Sequence, residues 1–116
     1  METTTYISAI DASEAADIPG LVKRAVCAAV PGAELKLFGS RARGDHGPES
    51  DWDFLVLVDG PGDWSTTEAV YSALYEVILA TGAPVCSVVQ SKDEWETPYS
   101  QATPFHKNVD KDGIAL

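Results

Sequence analysis

GSRARGDHGPESDWDFLVLV, residues 39–58, is the stretch on which the reading of this chain turns. Its second half, WDFLVLV at 52–58, is an apolar, β-branched run too short for a typical helix. It predicts a buried strand, which Asp59-Gly60-Pro61-Gly62 ends abruptly. The first half, Gly39 to Ser50, sets three glycines and a proline among charged residues and reads as a loop, with room for a helical turn at Ser40 to Arg43. Immediately upstream, ELKLF at 34–38 alternates Leu35 and Leu37 with Glu34 and Lys36, the period of a strand. One strand therefore delivers the chain to Gly39-Ser40, and Asp51 and Asp53 open the next.

That placement gives the residues their chemistry. Asp51 and Asp53 stand two apart, so both carboxylates project from one face of a strand while Trp52 faces the other. Paired carboxylates are hard oxygen ligands suited to Mg²⁺, which takes one or two of them and leaves its other positions to water and phosphate. The same spacing also suits two exposed aspartates that merely stop a strand. Gly39 lets backbone N–H groups approach a phosphate closely, and the Ser40 hydroxyl adds a donor. Arg41 and Arg43 can neutralise phosphate charge, or can pair with Asp45, Glu49 or Asp51.

Outward from this stretch, residues 18 to 30 place Ile18, Leu21, Val22, Ala25, Val26, Ala29 and Val30 at helical spacing, with Asp17 as cap, Pro19 in the first turn and Gly32 at the end. Ser65-Thr66-Thr67-Glu68 has the form of a capping box before Val70, Ala73, Leu74, Val77 and Ile78, a second helix that Gly82 closes. VCSVV at 85–89 predicts a third strand, and Ser91-Lys92-Asp93-Glu94 caps a short helix reaching Trp95 or Glu96. A last helix runs from Pro104 to about Lys111, ended by Gly113. The order predicts an α+β (α/β-like) fold, a small mixed β-sheet flanked by helices, over one domain at 1–116. Periodicity leaves the strand directions open.

Composition excludes several classes. With 18 acids against 8 bases and a net charge of -10, the chain is poorly suited to direct nucleic-acid binding and better suited to solubility or a basic partner. The opening METTTYISAI lacks the basic and apolar regions of a secretory leader, and no run approaches a membrane span, so a cytoplasmic protein is expected. Cys27 and Cys86 have no paired metal spacing and read as reduced core residues. His46 and His106 lack ligand spacing as well, and Trp64, Trp95, Tyr71 and Tyr75 read as packing or interface residues.

Residues 39–58 also resemble a known signature: Gly39-Ser40, Ala42-Arg43-Gly44, Ser50-Asp51 and Asp53 match the GSxARG…SDxD pattern of minimal nucleotidyltransferases, the smallest members of the DNA polymerase β superfamily. The resemblance implies a nucleotidyltransferase (polymerase β-like) fold binding a nucleoside triphosphate, with ATP the usual donor. It implies nucleotide contacts at Gly39, Ser40, Arg43 and Ser50, and Asp51 and Asp53 as catalytic residues holding Mg²⁺, as two ions or one. A nucleoside monophosphate would pass to an acceptor hydroxyl with release of pyrophosphate. Such proteins commonly accompany a helical HEPN-domain partner, several pairs resembling toxin and antitoxin.

The chain departs from this pattern at one place. A third carboxylate is usual on the following strand, where this sequence reads Val85-Cys86-Ser87-Val88-Val89-Gln90. Asp59, Asp93 and Glu94 are near in sequence but a strand's length or a turn away. Two readings therefore stand: an adenylyltransferase acting on a partner's hydroxyl, or a catalytically impaired nucleotide-binding antitoxin or interaction module. A small-molecule transferase would need an acceptor-binding domain for which 116 residues leave no space.

Overall fold

The structure, a computed structural model, describes residues 17–116; the segment read for a leader lies outside them. Helix α1, Ile18–Ala29, begins at Asp17, whose carboxylate accepts the Gly20 N–H, and buries Ile18, Leu21, Val22, Ala25 and Val26 along one stripe. Strand β1, Glu34–Phe38, follows, then the four-residue helix α2, Ser40–Arg43, and strand β2, Trp52–Val58. Helix α3, Trp64–Thr81, ends at Gly82 in the left-handed region that a residue without Cβ adopts cheaply. Strand β3, Val85–Ser91, leads through the short helices α4, Lys92–Trp95, and α5, Pro98–Gln101, into α6, Pro104–Asp112, and strand β4, Ile114–Ala115.

The sheet order is β3-β2-β1-β4. β1 runs antiparallel to β2 and β4, whereas β3 runs parallel to β2, with α3 making the crossover between them. A mixed sheet is the result. Phe54, Val56 and Val58 point to the face covered by α1 and α3, together with Leu35, Leu37 and Val85. Leu55 and Leu57 point the other way, to Trp95, Val109, Phe38, Val88 and Phe105. β2 is apolar on both faces because both are covered, which explains its unbroken hydrophobic run.

Two expectations are corrected, and two elements appear that none announced. Asp63, not Ser65, caps α3: its carboxylate accepts the Thr66 N–H at 3.0 Å, and the charged acceptor one turn earlier takes the role. Cys86 is exposed rather than in the core, and Cys27 is half-buried. Helix α5 and strand β4 lack the apolar periodicity that would announce them; Thr97 caps the first, and pairing with β1 creates the second. No described helix is long and apolar enough to cross a membrane.

His106 has a structural role. Its ring stacks on Trp95 at 3.9 Å, Nε2 lies 3.0 Å from the Trp95 carbonyl and Nδ1 3.1 Å from Asp110. A buried ring so partnered holds α6 against α4. Of the aromatics read as packing or interface residues, Trp95 is buried, whereas Trp64, Tyr71 and Tyr75 stand exposed.

Candidate metal and nucleotide site

Two registers bring the site together. The antiparallel ladder sets Phe38 opposite Asp53, so the end of β1 and the turn that follows it lie beside the start of β2. The parallel ladder sets Asp53 opposite Cys86. Gly39-Ser40, Asp51-Asp53 and Cys86 are thereby collected at one end of three adjacent strands. Carboxylate oxygens of Asp51 and Asp53 and the Cys86 sulfur lie within 4.8 Å of one another. The Cys86 thiol donates to Asp51 Oδ2 at 3.8 Å.

Gly39 must be glycine here. Its φ of 77° lies in the left-handed half of backbone space, and a Cβ on it would stand 2.5 Å from Asp53 Oδ2. The backbone of the turn thus passes directly over the carboxylate. The first N–H groups of α2, at Ser40 and Arg41, have no carbonyl behind them within the helix, which leaves them as donors beside the aspartates.

The arginines divide their work. Arg41 donates through Nε and Nη2 to the Ser50 carbonyl at 3.3 and 3.1 Å and through Nη2 to that of Pro48 at 3.2 Å, while its guanidinium lies 4.3 Å over the Trp52 ring. It ties the loop to β2, a bracing role that no sequence spacing signals. Arg43 pairs with Asp45 at 3.0 Å, an exposed contact that solvent weakens. The Asp45 hydrogen bond and charge raise the Arg43 pKa above its ordinary value, with smaller contributions from Asp112 and Asp53. The Ser50 hydroxyl accepts the Gly47 N–H at 2.9 Å and closes the loop's last turn. Asp59, Asp93 and Glu94 belong to the opposite end of the sheet, beyond the ends of β2 and β3. His46 sits exposed in the loop.

The electrostatics mark the cluster as unfinished. Among the described residues no ion pair joins Lys or Arg to Asp51 or Asp53. Burial, and then the Asp51 charge, push the Asp53 carboxyl above its ordinary range, with Arg43 acting weakly the other way. Burial and the two carboxylates push the Cys86 thiol up. A divalent cation would reverse these shifts by supplying the missing charge. Two carboxylate donors beneath a backbone cradle fit such an ion; the thiol is an unusual third donor for Mg²⁺.

Beside Cys86 and Ser87, a shallow cavity of about 350 Å³ is walled by Tyr71, Tyr75 and Ile78 of α3. Ser87 Oγ is buried with no hydrogen-bond partner among the described residues.

This fold, with its carboxylates at the strand ends, defines a nucleotidyltransferase domain, and the model of that family matches residues 21–113. The chain belongs to it. It is 32% identical over 83 residues to a Methanocaldococcus jannaschii protein named "putative protein adenylyltransferase", covering 72% of this chain and 76% of that one. Its fold is similar to a crystal structure of a toxin–antitoxin with AMP-PNP, at a TM-score of 0.60 and 20% identity, over 83% of this chain and 69% of that one.

Proposed function

We propose that this domain binds a metal-associated nucleoside triphosphate and transfers its nucleoside monophosphate, AMP from ATP, to a hydroxyl group of a protein partner. The observation that carries the reading is the convergence of Asp51, Asp53 and the Gly39-Ser40 turn at one end of the sheet. Kinship with the Methanocaldococcus jannaschii protein, which is named for that activity, supports the chemistry. The toxin–antitoxin likeness supports a partner, and a HEPN-domain toxin is the partner we assign.

In this reading Asp51 and Asp53 hold Mg²⁺ or a similar ion, which neutralises phosphate charge and favours in-line displacement. The N–H groups of Ser40 and Arg41 donate to phosphate oxygens, and Gly39 leaves the space for them. Arg43 exchanges its exposed Asp45 pair for a phosphate. Arg41 and Ser50 keep the loop closed; Ser50 reaches nucleotide only by giving up its bond to Gly47. The acceptor oxygen bonds to the α-phosphorus, the α–β bridging bond breaks, pyrophosphate leaves and the hydroxyl proton passes to solvent.

A second reading follows from Cys86 itself. The strand position facing Asp53 carries a thiol where a carboxylate would help remove the acceptor proton, which favours a module that masks its partner by contact and retains the nucleotide site. Incubation of the protein with divalent ion, α-labelled ATP and a lysate of its source cells decides between the two. A labelled band that vanishes with Asp53→Asn establishes transfer. Nucleotide binding by calorimetry with no band from any of the four triphosphates establishes the binding module.

A further inference from the structure

The third donor of this site is sulfur, and sulfur changes which ion the site prefers. Mg²⁺ demands near-octahedral oxygen coordination and gains little from a thiolate, whereas Zn²⁺, Co²⁺ and Cd²⁺ bind sulfur well. The position is no accident of a mobile side chain: Cys86 is held in register with Asp53 by the parallel ladder, and its thiol already donates to Asp51. Around a tetrahedral ion, metal–oxygen distances of about 2.0–2.2 Å and a metal–sulfur distance of about 2.3 Å set an oxygen and a sulfur donor roughly 3.6 Å apart. The Sγ to Oδ2 separation of 3.8 Å is close to that spacing, and the full cluster, within 4.8 Å, has to draw in by about an ångström to share one ion.

We infer that Asp51, Asp53 and Cys86 form a mixed carboxylate–thiolate site in which Cys86, its thiol proton released to solvent as the ion binds, is a metal ligand that selects a borderline transition-metal ion over Mg²⁺. The inference specifies the metal part of the proposed reading and rests on it only there, since ion binding to the three side chains needs no nucleotide. It accounts for the missing carboxylate without discarding the site: the chain keeps three donors and changes their softness. Ion bound this way keeps its remaining positions open for phosphate oxygens, because no other described acid reaches the cluster.

The experiment uses the full chain in reducing buffer without nucleotide, titrated with Co²⁺ by absorbance and with Zn²⁺ and Mg²⁺ by calorimetry. The expected result is a thiolate-to-cobalt charge-transfer band in the near ultraviolet that saturates with ion, survives Cys27→Ser and is lost in Cys86→Ser. Cys86→Ser should weaken Zn²⁺ by more than the roughly tenfold that even an outer-sphere partner is worth, and Cys86→Asp should shift the preference toward Mg²⁺. Circular dichroism shows that each variant folds. Cobalt binding without the band, or an unchanged Zn²⁺ to Mg²⁺ ratio in Cys86→Ser, overturns the inference and leaves the Asp51–Asp53 reading standing. Ion binding that is indifferent to Asp53→Asn removes both.

Discussion

The two ends of the sheet carry similar carboxylates and treat them in opposite ways. At one end Lys92 sits 3.0 Å from Asp59 and 3.6 Å from Glu34 and donates to the Gly32 carbonyl at 2.8 Å. The acids there are neutralised by the protein itself, and the Asp59 hydrogen bond is the first cause raising the Lys92 pKa. At the other end Asp51 and Asp53 share a face with no described ion pair to a base, Arg43 acting on Asp53 only weakly, and burial and the Asp51 charge push the Asp53 carboxyl up. The contrast teaches that one pair of carboxylates finds its counter-charge within the fold while the other is held close together without an ion-paired base.

The largest test of that contrast is Asp53→Asn. It should lower the affinity for ion, and for nucleotide in its presence, by more than about 100-fold in calorimetry. It should at the same time raise the apo melting temperature at neutral pH, because a like-charge contact disappears. A fall in apo stability would break the comparison.

Gly39→Ala comes next. The positive φ alone costs about 1–3 kcal/mol for a residue with a Cβ, and the added methyl displaces the Asp53 carboxylate. Ion binding should fall with stability. Gly47→Ala, whose Cβ would meet only the Ser50 hydroxyl at 4.0 Å, should leave both nearly unchanged.

The pH dependence should also differ in sign between residues. Asp53 has its folded pKa raised, so the native state holds that proton more tightly. Its contribution to stability is present at low pH and is lost as pH rises from the ordinary carboxylate value through the folded one. Asp63, lowered chiefly by its hydrogen bonds to Thr66, contributes above the ordinary value and loses its contribution as pH falls through the folded pKa. Acid denaturation of Asp53→Asn and Asp63→Asn should therefore shift the low-pH limb of the stability curve in opposite directions.

The smallest effect is expected of Lys92→Met. Removing this cation should lower the melting temperature slightly at low salt and hardly at all at high salt, since its partners are exposed. Ion binding at the far end should not change.

Much of this was legible beforehand, because it rests on local rules. The strand at 52–58 announced itself by an apolar run that only a doubly covered strand tolerates, and α1 by its stripe and its Asp17 cap. Asp51, Asp53 and the turn at Gly39 could be read because two-residue alternation and a glycine before a helical turn are properties of adjacent residues. The α3 cap was misplaced because Asp63 and Ser65 both offer a suitable oxygen, and their geometry, not their order, chooses between them.

What the sequence determined by itself, then, is the three long strands and the principal helices, the pair of carboxylates and the loop beside them, each encoded within a few residues; α5 and β4 were not among them. The tertiary structure alone decided that β3 lies parallel to β2 with Cys86 facing Asp53, that Arg41 braces the loop, and that Lys92 neutralises the other end of the sheet. The physical reason is separation along the chain. Cys86 and Asp51 are 35 residues apart, and no local period carries the register that brings a thiol to a carboxylate across that distance. Register is set by packing on both faces of the sheet, and it converted a cysteine that reads as core into a member of the site.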